Sequence, residues 1–117
     1  MGSPRVPAGL DAAGRRLWRE VLAGYVLAPP EVALLVELCR VVDRLDRLAA
    51  ALAIEPLTVA GSMGQPKIHP LYAEARSQAA TLAHLARALR IPVAEVVAPP
   101  EVGPRLRALR EVGGGSA

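Results

Sequence analysis

The chain has no phenylalanine, one tryptophan and two tyrosines. A core without aromatic bulk has to be built from Leu, Val and Ala, which suit close helix packing but give each element little area to bury. At 117 residues and 52% hydrophobic content there is apolar material for one domain core, and oligomerisation is its natural supplement. Cysteine is nearly as scarce. Cys39 has no second cysteine to pair with and lies among apolar helical positions, so it reads as a buried thiol in a reducing compartment, not as a ligand or nucleophile. No apolar run reaches the roughly eighteen residues of a membrane span, and residues 1–9 lack the apolar region of a signal peptide. A cytoplasmic protein with no membrane partner is expected. Lysine is almost missing too: all fourteen basic residues are Arg except Lys67. The net charge is only +3, a mild hint of a phosphate-bearing partner that Arg-rich helix surfaces also explain.

What the chain does have is a leucine ladder. Between Glu31 and Ala53, Leu34, Leu38, Val41, Leu45, Leu48 and Leu52 alternate spacings of four and three, the pattern of a coiled-coil seam. Glu37, Arg40, Asp43, Arg44, Asp46 and Arg47 mark its outer side, with Asp43 and Arg47 as an i,i+4 ion pair. A second seam follows at Leu71, Ala75, Gln78, Leu82, Leu85 and Leu89. The two predict an antiparallel helical hairpin.

In chain order, residues 1–9 form a flexible Pro/Gly-punctuated arm. A first helix spans about 11–24, with Asp11 as its N-cap and Leu17, Trp18, Val21, Leu22 and Tyr25 on its inner face. Its outer face carries Arg15, Arg16 and Arg19, either a solvated surface or a phosphate-contacting one. The second helix, about 31–53, is apolar on every side from Val32 to Val36, so the first helix must cover it. A helix-turn-helix reader is excluded, because the turn that would meet base edges is Val32-Ala33-Leu34-Leu35. A β-hairpin follows at about 57–69, with turn residues Gly61 to Gln65. The third helix, about 70–90, opens at Pro70 after His69, and Ala75, Ala79, Ala83 and Ala86 give it a shallow strip. The domain extends to residue 98, and 99–117 form a flexible Arg-bearing tail. The fold class is mainly α: a helical hairpin with a small β-hairpin at its tip and an N-terminal covering helix, assembled as an oligomeric ring.

Catalytic chemistry finds no support in the residues. Gly61, Gly64 and Lys67 do not match a phosphate-binding loop, no carboxylates cluster in an apolar setting, and His69 and His84 lie on different stretches. Neither a catalytic residue nor a cofactor or metal is assigned.

Several weak motifs in order carry a resemblance. Gly14-x-x-Leu17-Trp18, Tyr25-x-Leu27, the helix with Glu31, Leu35, Cys39 and Asp43, the turn with Gly61 and Gly64, and Lys67-x-His69-Pro70 before a helix with Arg76 and Leu82 resemble the small terminase subunit of tailed bacteriophages and prophages, over roughly residues 9–91. One departure is that Arg90-Ile91-Pro92-Val93 replaces the Leu-Gly-Leu-Thr-Pro-like turn of many relatives. The resemblance implies a helical, ring-forming, non-enzymatic protein of the host bacterium's cytoplasm. It would recognise double-stranded viral DNA and regulate the ATPase and nuclease of the terminase large subunit during genome packaging.

On that footing the DNA-facing candidates are, in order, Arg15, Arg16 and Arg19, which the core does not require; Lys67 at the hairpin; and Arg40, Arg44 and Arg47, whose neighbouring acids already offer partners. Arg105, Arg107 and Arg110 are the candidates for contact with the large subunit. The competing expectation is an oligomeric coiled-coil interaction scaffold that never touches nucleic acid.

Overall fold

The computed structural model describes residues 4–97, of which 65% are helical. Four helices and one two-stranded sheet follow in the order α1 (Ala12–Gly24), α2 (Pro29–Leu52), β1 (Thr58–Ala60), β2 (Pro66–Ile68), α3 (Pro70–Ala88) and α4 (Val93–Val97).

The helix α2 opens on Pro29 and Pro30, which fit a first turn whose N–H groups have no intrahelical partner. Glu31 closes that turn by accepting the Ala28 N–H at 2.8 Å. Both seams face inward: every ladder position from Leu34 to Leu52, and from Leu71 to Leu89, is buried or half-buried, and α2 packs along α3. Arg44 of α2 lies across from Gln78 of α3 (3.5 Å), and α2 and α3 run antiparallel. The apolar start of α2 is covered by α1, whose Leu17, Trp18 and Val21 are buried. The connection carries the hairpin, with Thr58 opposite Ile68, Val59 opposite Lys67 and Ala60 opposite Pro66. Gly64 takes φ +81° in its turn, a conformation glycine adopts without penalty. His69 occupies the N-cap of α3, its Nδ1 accepting the Leu71 N–H at 3.2 Å.

The missing glycine after α3 does not cost the chain its turn. The Ile91 N–H reaches the Ala86 carbonyl (2.9 Å) and the Arg90 N–H reaches Arg87 (3.0 Å), the two bonds of a Schellman motif. Arg90 holds the left-handed position itself, at φ +61°, and buried Ile91 then leads into α4.

The core is lopsided. Leu35, Leu38, Cys39 and Val41 of α2 meet α1, the second half of α3 and Val96 of α4. From Arg44 through Thr81, by contrast, no residue is buried. That distal half is two helices and a hairpin, with Ile54, Leu57, Met63 and Ile68 exposed around the tip.

Two expectations from the sequence are corrected. Asp43 does not stand on the outer face beside Arg47. It is buried, at 2% exposure, because α1 lays its N-terminus against this side of α2. And Asp11, although it sits at the N-cap of α1, makes no side-chain cap bond.

Candidate nucleic-acid interface

The start of α1 is held by a residue of another helix. Asp43 accepts the Asp11 N–H with Oδ2 at 2.8 Å and the Gly14 N–H with Oδ1 at 2.7 Å. It thereby closes the two amides that a capping box would close from within the helix. Asp11, released from capping, points its carboxylate at Arg47 instead (2.7 Å). Gly14 is glycine for this reason: a Cβ there would meet the Asp43 carboxylate and, at 2.9 Å, the Cys39 carbonyl oxygen. An interior helical glycine costs roughly 0.5–1 kcal/mol relative to alanine, and here it admits a carboxylate.

That clamp fixes α1 and the arginines on it. Arg15 and Arg19 are exposed, and Arg16 is half-buried beside Asp46, Leu45 and Ala49 of α2. Arg15 and Arg19, four residues apart, are like-charged neighbours on one face. That repulsion, a few tenths of a kcal/mol, works against the isolated helix and would be relieved by an anion.

The remaining candidates are dispersed. Lys67 is exposed on β2, at the far end of the molecule from α1. Arg40 is ion-paired with Glu37 (2.6 Å) and Arg47 with Asp11 (2.7 Å), while Arg44 reaches only the amide oxygen of Gln78 at 3.5 Å. The structure thus groups Arg15, Arg16 and Arg19 on one element and separates them from Lys67. Arg105, Arg107 and Arg110 lie outside the described residues.

Buried titratable chemistry is limited. Burial pushes the Cys39 thiol up to about 12, and the nearby Asp43 carboxylate pushes the same way. Such a thiol stays neutral and is no nucleophile. The Tyr25 hydroxyl donates to Oε2 of Glu95 (3.0 Å), tying the end of α1 to α4. Among the described residues no group of three or more His, Cys, Asp or Glu is placed to hold a metal ion, and no helix is long and apolar enough to cross a membrane.

Sequence reasoning missed the Asp43 clamp and the Tyr25–Glu95 bond. Gly14, inside a helix where alanine would be favoured, was the one local signal of the first. The second spans seventy residues and has no local signal. No protein-family model, curated protein or solved structure matches the chain.

Proposed function

We propose that this protein is a non-catalytic small terminase subunit, which binds viral double-stranded DNA as an oligomer and regulates the ATPase and nuclease large subunit during genome packaging. The observation that carries the reading is the pairing of a rigidly clamped basic helix with a half-covered helical hairpin. Arg15 and Arg19 stand exposed four residues apart on α1 with Arg16 half-buried beside them, and the α2–α3 pair leaves an uncovered distal half. Each subunit presents only a weak phosphate-contacting surface. A ring repeats that surface once per subunit, so affinity for duplex DNA comes from avidity. Contacts of this kind position the protein on the backbone and read little sequence. The resemblance set out above supports the same reading and supplies the large subunit as partner.

The test is electrophoretic mobility of a duplex fragment with rising protein at two salt concentrations, beside the solution molar mass. The expected result is a mass many times 12.3 kDa and a shift that weakens steeply with salt. Changing Arg15, Arg16 and Arg19 together to Ala should abolish the low-salt shift. An oligomer that binds no DNA at low salt would instead favour the interaction scaffold, and a monomer would remove both.

A further inference from the structure

A groove of about 270 Å³ opens where α1, α2 and α4 come together. Val42, Leu45 and Ala49 line it from α2, as one stripe at spacings of three and four, and Arg16 of α1 and Val97 of α4 border the same space. Val42 and Leu45 are half-buried and Ala49 and Val97 are exposed, so apolar surface is left open here beside the packed core. Asp46, also in the lining, is exposed and makes neither an ion pair nor a side-chain hydrogen bond among the described residues. An apolar stripe beside an unpaired acid fits a segment that is apolar on one side and basic on its flank.

The described chain ends at this groove: Val97, its last residue, is one of the lining side chains, and residues 98–117 follow it. Among them Leu106, Leu109 and Val112 recur at spacings of three between Arg105, Arg107 and Arg110, with Pro104 ahead and Gly113 behind. That is the sequence pattern of a short amphipathic helix. We propose that residues 104–112 of the same chain dock in this groove, with Leu106 and Leu109 on the Val42, Leu45 and Ala49 stripe and an arginine at Asp46. Reach agrees with this. Residues 98–103 span at most about 20 Å, whereas α2 rises only about 10 Å from Val42 to Ala49, so the linker delivers the segment anywhere along the stripe. Tethering holds it at an effective concentration on the order of millimolar, ahead of any separate molecule of equal affinity. Charge agrees as well. Asp46 is the one acid and Arg16 the one base among the lining residues, and the segment offers three arginines and a single acid, Glu111. The proposal goes beyond the reading above and holds whether or not the protein binds DNA. It gives Arg105, Arg107 and Arg110 an acid on their own chain, and an external partner for them has to displace that contact.

Disulfide trapping in the full chain tests this. Cys39 is buried, so in A49C/A108C the two introduced thiols are the ones that react. Oxidation by copper phenanthroline in air should close an internal disulfide, seen as faster migration on a non-reducing gel. It should form about tenfold faster than in A49C/A117C, whose second thiol lies beyond the Gly113-Gly114-Gly115 run. Adding L106D/L109D to A49C/A108C should slow closure about tenfold, and adding D46R should slow it about threefold, each with helical circular dichroism equal to that of the parent. Equal rates for A49C/A108C and A49C/A117C, or a rate indifferent to L106D/L109D or to D46R, would show an undirected segment and overturn the proposal. A covalent dimer as the main product would overturn it too, by assigning the groove to the segment of a neighbouring copy.

Discussion

The carboxylate of Asp43 is the largest polar commitment in the described fold, and its removal gives the sharpest test of how α1 is held. In Asp43→Ala two amides lose their acceptor at once, the buried Gly14 N–H and the partly buried Asp11 N–H. Hydrogen bonds to a charged group are worth roughly 1.5–3 kcal/mol each, and a buried donor left without a partner keeps its full desolvation cost. The expected loss is therefore about 3–5 kcal/mol, against a total of about 5–15 kcal/mol for a domain of ordinary stability. Asp43→Asn retains one acceptor oxygen and should cost about half as much. Arg47→Ala breaks only the exposed pair with Asp11, both side chains more than half accessible, and should cost under about 1 kcal/mol. Urea denaturation followed by far-UV circular dichroism measures all three. The comparison needs one fixed protein concentration, because assembly stabilises by mass action. If Asp43→Ala fell within 0.5 kcal/mol of Arg47→Ala, α1 would not depend on the clamp, and the positioning of Arg15 and Arg19 would need another cause.

Three further outcomes are expected. Gly14→Ala should destabilise by about 1–3 kcal/mol, against the usual gain for glycine to alanine in a helix, because its Cβ would meet the Asp43 carboxylate and the Cys39 carbonyl; a stabilised variant in the same urea assay would contradict the geometry. Arg90→Gly should stabilise by about 0.5–1 kcal/mol by removing a side chain from a left-handed residue (φ +61°), read as a rise of a few degrees in Tm. Cys39 should resist alkylation by iodoacetamide at pH 8 in the native protein and react once denatured; rapid native modification would refute its burial. Because the folded thiol titrates near 12 and the unfolded one near 9, the unfolded chain gives up its proton first. The Cys39 contribution to stability is thus complete below pH 9 and lost as pH rises toward 12.

The long-range plan was legible because it is periodic. Alternating spacings of four and three place Leu34 to Leu52 on one stripe whatever the rest of the chain does, and the downstream copy from Leu71 to Leu89 supplies the partner. Local chemistry likewise located the hairpin turn at Gly64 and the start of α3 at Pro70. What failed was the reading of single polar residues. Asp43 and Arg47 have the spacing of an exposed ion pair, and nothing nearby in the sequence reveals that another helix will set its N-terminus on Asp43. The i,i+4 rule holds only for a face left to solvent, and which face that is depends on packing between segments thirty residues apart. The end of α3 was legible from Ile91-Pro92, but not the form of the turn: its usual marker, a glycine, is absent, and Arg90 bears the left-handed conformation, with the two backbone bonds of the turn made around it.

The uneven burial bears on how the candidate arginines divide between roles. At the proximal end, α1 and α4 complete a core around Leu35 and Leu38, so exposed charges there have no packing duty and are free to meet an external anion. At the distal end no residue from Arg44 to Thr81 is buried, and a charge beside that seam borders half-buried apolar surface. A cation of the first kind acts on phosphate through long-range attraction that salt weakens. One of the second kind would, in the proposed oligomer, set register against a neighbouring subunit, where apolar contact supplies the affinity and charges choose the partner face. On the proposed reading Arg15 and Arg19 would belong to the first group and Arg44, beside the distal seam, to the second, a division that composition alone cannot make because all three are arginines on amphipathic helices. Raising salt should accordingly release DNA well before it dissociates the assembly, and the reverse order would overturn the division.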